Sequence, residues 1–192
     1  MSKHEKIGGD VERVNGLDLA ALGELAGEIG KDVSKGMVEF RVNTAWRGRT
    51  LSETTVEAFT MGGVRVPRRF TVPIDEPFEL LGENNHANPQ EMLMAALNAC
   101  MTVGYVANAA LKGIVIEKLE IETHGTLDLR GFLGLDAAVP AGYETLHYTV
   151  RIKGSGSEAD FREIHETVMR TSPNYFNLSR PIAMQAALSV ES

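Results

Sequence analysis

The chain holds a single cysteine, Cys100, among 192 residues. One thiol excludes the intrachain disulfides on which small secreted scaffolds depend, and a reducing compartment is its natural setting. It also excludes a structural zinc site built from several cysteines. Histidines are few: His4, His86, His124, His147 and His165 are scattered, with no H-x-x-x-H or H-x-H pair to suggest a metal. Positive charge is in deficit, since 19 Lys and Arg face 26 Asp and Glu for a formal net charge of −7. Partners such as nucleic acid or an anionic membrane are therefore not expected. No P-loop, G-x-G-x-x-G or G-x-S-x-G pattern occurs, and the polar stretch Met1–Asp10 lacks the apolar region of a signal peptide. The expectation is a cytoplasmic protein with no cofactor and no metal.

What is present is an ordinary globular composition, 43% hydrophobic and 23% charged. A chain of this length buries roughly 70% of its unfolded surface, enough for a core without staples. The longest uncharged run, Met92 to Leu111, has the length of a membrane span. Asn98, Thr102, Gly104, Tyr105 and Asn108 interrupt it, and no basic cluster flanks it. We read it as a helix buried at the centre of a soluble fold. Its start and stop are well marked: Asn88 at the N-cap, Pro89 at N1, Glu91 at N3 and Gly113 just past the end.

Residues 1–36 read as an N-terminal helical appendage. Leu22, Leu25, Ala26 and Ile29 recur at helical spacing, while Gly23, Gly27 and Gly30 each weaken the helix by about 1 kcal/mol. Without packing partners such a helix is not expected to hold. From Met37 the period becomes two, predicting one strand to Trp46, a second through Val56 to Phe59, and a third over Val64–Ile74. Pro67 and Pro73 mark that third strand as an edge or a bulge. Beyond the central helix, two strands run over Leu119–Leu129 and Leu146–Ile152. Ser157 and Asp160 open a second helix as a capping box, which stops before Pro173. Ile182, Met184, Ala186, Leu188 and Val190 alternate as a last strand. Strands and helices do not alternate strictly, so the fold class is α+β with antiparallel sheets, carried by residues 37–192.

Cys100 is the sharpest chemical candidate, and its residue context leaves two readings open. A free cysteine on an apolar helix stripe packs as a small hydrophobe. A nucleophilic one needs a cation, a histidine or a helix N-terminus nearby, and Cys100 lies nearly three turns from the helix start.

The segment Asn88-Pro89-Gln90-Glu91-Met92-Leu93-Met94-Ala95-Ala96-Leu97-Asn98-Ala99-Cys100 resembles the signature helix of the OsmC/Ohr family of osmotically inducible and organic-hydroperoxide-resistance proteins. The similarity extends over roughly residues 37–190. It implies an intertwined homodimer whose long helices pack in the middle, flanked by antiparallel sheets. It further implies a thiol peroxidase whose first cysteine, here Cys100, attacks an organic hydroperoxide, with an Arg and a Glu holding the thiolate. Glu91 is the acidic candidate, one position later than in the most active members, where Gln90 stands here. A shift of one residue turns a side chain about 100° around the helix, and helix capping is an equally good role for Glu91. Arg49 follows a glycine as the family's arginine does, with Arg47, Arg68 and Arg69 as competitors. The family's resolving cysteine is matched by Ser172, ahead of Pro173, so an external thiol would have to complete the cycle. Loss of that cysteine also fits a second reading, a catalytically silent relative binding a small apolar ligand at the dimer interface.

Overall fold

A computed structural model describes residues 13–191. The chain forms two compact units, one reaching to Ala95 and the other starting at Ala96.

The first unit opens with a short hairpin of β1 (Arg13–Val14) and β2 (Leu17–Asp18). Asp18 then caps α1 (Leu19–Lys31), its side chain accepting from the Ala21 N–H at 2.9 Å. The helix forms although none of its residues is buried, which departs from the expectation that it would require packing. A capped N-terminus and the Glu28–Lys31 and Glu28–Lys35 pairs support it locally instead.

The main sheet contains β3 (Val38–Phe40), β4 (Asn43–Gly48), β5 (Leu51–Met61) and β6 (Val64–Ile74), all antiparallel. Strand β5 is the spine: β6 runs along one edge while β3 and β4 share the other. The single strand expected from Met37 to Trp46 is thus broken at Arg41 and Val42. The reason lies across the ladder, where β5 pairs with β4 up to Thr55 and with β3 only from Phe59. Between those points β5 carries a register shift at Val56–Ala58 against β6. From Val56 to Ala58 β5 advances two residues while β6 advances three, from Phe70 to Pro67, so the extra residue lies on β6 and bends the ladder where β4 gives way to β3. Pro67 and Pro73 sit on β6, an edge strand, where their missing N–H groups are tolerated.

After β6 the chain folds around a buried carboxylate. Asp75 accepts from Thr50 Oγ at 2.7 Å and from the Glu83 N–H at 3.0 Å. At Gly82 an added Cβ would stand 1.7 Å from the Glu76 carbonyl oxygen, so only glycine closes this loop. The long helix α2 (Pro89–Leu111) follows, 23 residues as its boundary signals predict.

In the second unit α2 packs over a hairpin of β7 (Ile116–His124) and β8 (His147–Gly154), paired from Ile116↔Gly154 to His124↔His147. The excursion between the strands carries the short helix α3 (Leu129–Phe132). Next come α4 (Glu158–Thr171), with its Ser157–Asp160 capping box, and α5 (Pro173–Ser179). Leu97, Met101, Tyr105 and Ala109 of α2 recur every four residues and are buried with Ile114, Ile164 and Val168. Ile121, Val150 and Ile152 close the core from the sheet. Gly104 lets α2 and α4 approach: a Cβ there would lie 3.1 Å from Val168 Cγ2.

Three expectations are corrected in this unit. The strand drawn to Leu129 ends at His124, and Leu129 begins α3. Helix α2 is buried along one stripe only, and Val103 stays 69% exposed. Residues 181–190 are not a strand: they have no regular structure, and Met184, Leu188 and Val190 stand almost fully exposed. An alternating pattern forms a strand only where another edge completes its hydrogen bonds, and no pairing of this segment exists among the described residues. Antiparallel sheets with segregated helices nevertheless make the α+β class as expected.

Candidate functional site

Cys100 occupies the middle of α2, one position before the buried Met101, and is half-buried. Its polar neighbour is Ser172, whose Oγ donates to Cys100 Sγ at 3.3 Å. Ser172 is buried and occupies the junction between two helices, as C-cap of α4 and N-cap of α5. Its backbone N–H donates to the Val168 carbonyl at 2.8 Å, and its Oγ accepts from the Tyr175 N–H at 3.4 Å. With that oxygen accepting from Tyr175, the hydroxyl proton remains for the sulfur. The sequence pattern explains the junction. A serine before proline ends one helix and, with Pro173 at N1, begins the next.

Further bonds fix the position of the thiol. Asn174 Nδ2 donates to the Ala96 carbonyl at 2.8 Å, joining α5 to the turn of α2 that precedes Cys100. Asn98 Nδ2 donates to the Ile121 carbonyl at 3.1 Å, and Thr123 Oγ donates to Asn98 Oδ1 at 2.5 Å. These two bonds pin α2 to β7 two residues from the cysteine. Beyond Ser172, the Tyr175 ring meets Tyr148 edge-on, and Tyr148 lies against His165. His165 Nδ1 is hydrogen-bonded to the buried Tyr105 hydroxyl, whose ionisation burial pushes well above the ordinary tyrosine range. Tyr105 is therefore a neutral phenol there. The sequence names Asn98, Tyr105, His165 and Ser172 but not these pairings, most of which span 20 residues or more.

The other sequence candidates belong to the first unit, where Arg47, Arg49, Arg68 and Glu91 have partners. Arg49 Nη1 donates to Glu83 Oε1 at 3.2 Å, both side chains being exposed. Arg49 itself adopts a left-handed φ of 49°, and its carbonyl accepts from the Trp46 indole N–H at 2.9 Å. Glu91 caps α2 reciprocally: its Oε2 accepts from the Asn88 N–H, and its own N–H donates to Asn88 Oδ1, both at 2.8 Å. Arg47 pairs with Glu53, Arg68 lies over the rings of Phe59 and Phe70, and Arg69 is exposed on β6. Among the described residues, no group of three or more His, Cys, Asp or Glu side chains stands close enough to hold a metal ion.

A family model for OsmC-like proteins matches residues 82–186. No curated protein matches the chain. Among solved structures, an OsmC-like protein from Mycoplasma pneumoniae aligns with a TM-score of 0.57 at 18% identity, over 73% of this chain and 87% of that one. A putative osmotic stress induced and detoxification response protein from Psychrobacter arcticus aligns at 0.53 and 15% identity, over 70% and 85%. At identities this low the structural alignments show the fold alone, but the family model covers more than half of the chain: it belongs to the OsmC-like protein family.

Proposed function

We propose that the protein is a one-cysteine, thiol-dependent reductase of organic hydroperoxides, acting through Cys100 in a reducing compartment. The observation that carries this reading is the contact between Cys100 and Ser172. It puts a hydrogen-bond donor on the sulfur from Ser172, the residue that the family resemblance matches to a resolving cysteine. The thiolate attacks the terminal peroxide oxygen, the O–O bond breaks, and the alkoxide leaves with a proton as alcohol. The sulfur, oxidised by two electrons, is then a sulfenic acid. Ser172 has no thiol to offer, so an external thiol attacks the sulfenic sulfur, releasing water and leaving a mixed disulfide. A second thiol frees Cys100. The Ser172 hydroxyl suits both halves of the cycle, since it can donate to the thiolate and to the sulfenic oxygen.

Arg49 and Glu91 enter this reading as the residues that would hold the thiolate in the family. The Arg49–Glu83 pair is exposed, and such pairs contribute only about 0–1 kcal/mol, so the guanidinium is readily released to another anion. Glu91, by contrast, is committed to the α2 cap.

The working form is proposed to be a homodimer. Ala95, Ala96, Ala99 and Val103 leave an exposed face of small and apolar side chains on α2, and the segment 181–190 exposes an alternating apolar row. A second copy would cover both. Turnover is tested with cumene hydroperoxide and excess dithiothreitol. Peroxide consumption should be catalytic for the native chain and fall to the background rate for Cys100→Ser; equal rates would reject the reading.

A further inference from the structure

Two of the scattered histidines, His124 and His147, meet in the fold. His124 ends β7, His147 begins β8, and they are directly opposite each other as the last pair of the ladder. Both side chains are exposed, and their rings lie 5.3 Å apart between centroids at an interplanar angle of 23°. Beyond them the chain leaves on the excursion 125–146, so the pair forms its neck. We propose that His124 and His147 form a two-imidazole chelate for a divalent transition metal, which ties the two ends of that excursion together.

The separation is the one such a chelate needs. Two imidazoles bound to one tetrahedral ion, with metal–nitrogen bonds of about 2.1 Å, place their ring centroids about 5 Å apart. Side-chain torsions alone would bring a nitrogen of each ring to a shared ion, with no movement of the paired backbone. Neutral imidazole is a borderline ligand that suits zinc, nickel and copper and not calcium or magnesium. Glu122, the next residue on this face of β7, is held by Arg151 at 2.8 Å, so solvent completes the coordination. The inward neighbour of the pair, Thr123, bonds Asn98. A metal at the neck therefore restrains the end of the strand that anchors the cysteine helix.

The site is tested with zinc chloride on the full chain carrying Cys100→Ser, which removes the competing thiol. Calorimetry should show one zinc bound per chain in the micromolar range, reversed by EDTA. His124→Gln and His147→Gln, each exposed and away from the core, should each weaken it at least tenfold, while His86→Gln should not. In the parent protein the ring resonances of His124 and His147 should move together during the titration, with those of His165 unmoved. Absence of binding, binding that survives either single substitution, or shifts confined to other histidines would overturn the proposal.

Discussion

Ser172 Oγ stands 3.3 Å from Cys100 Sγ although 72 residues separate the two along the chain. The contact is made by the junction of two helices and not by a loop, and Ser172 is 4% exposed. Position 172 is therefore rigidly presented to the thiol, whatever residue occupies it.

Ser172→Cys should accordingly restore a disulfide. Thiol attack on the sulfenic acid at Cys100 would expel water and join the two sulfurs. One equivalent of hydroperoxide should then remove two hydrogens from the intact mass of the variant, where the native chain gains oxygen. Oxygen addition at Cys100 without crosslinking in the variant would show that the two side chains do not meet in solution.

Asn98 makes the bonds that hold the cysteine helix to β7. Asn98→Ala leaves the Ile121 carbonyl and the Thr123 hydroxyl without these partners. The expected loss of stability is about 2–3 kcal/mol by urea denaturation. Asn98→Asp keeps the acceptor for Thr123 but sets a carboxylate oxygen against the Ile121 carbonyl, so it should lose at least as much. Equal stability of all three proteins would place the anchoring elsewhere.

Glu76 gives the first unit a pH dependence. Its carboxyl is pushed above the ordinary value of 4.5 by burial, then by the charges of Asp75 and Glu91, and its Oε2 is buried without a partner. A raised pKa in the folded state means that the protonated form is the favoured one. Stability from this group is full below the ordinary value and is lost as pH rises through the folded one. Once ionised, the carboxylate is thus a liability, and Glu76→Gln should raise the melting temperature at a pH above its folded titration. The gain should shrink towards zero on acidification below about pH 4. A gain independent of pH would assign the effect to packing.

Size exclusion with light scattering should report about twice the 20.9 kDa chain mass. Truncation after Arg180 removes the exposed alternating row and should shift the equilibrium towards monomer. A native chain that runs as a monomer at micromolar concentration would contradict the assembly proposed.

Where signals were local, the sequence alone was enough. Asn88, Pro89 and Gly113 bound α2 because caps and stops act within one turn, and the Ser157–Asp160 box did the same for α4. The edge position of β6 follows from its two prolines, Pro67 and Pro73. Features that depend on distant pairing were hidden. The break between β3 and β4 coincides with a bulge in the β5–β6 ladder, and the alternation of residues 181–190 describes a strand without naming its partner. Helix α5 was missed because Ser172-Pro173 read as a stop, although the same pair is a good start. At the site, Cys100 stands out as the single thiol, and the family resemblance is what favours its reactive reading over the packing one. Its bond to Ser172, the anchoring by Asn98 and the meeting of His124 with His147 all required the register of the fold.

The central claim is that Cys100 is the peroxide-reactive group, and its oxidation state after a single turnover tests that most directly. The native protein, treated with one equivalent of cumene hydroperoxide in the presence of a sulfenic-acid trap, is digested and mapped by mass spectrometry. The account predicts the trapped adduct on the Cys100 peptide, formed before oxidation of any of the eight methionines. A Cys100 peptide that remains an unmodified thiol, while the peroxide is consumed elsewhere or not at all, would contradict it.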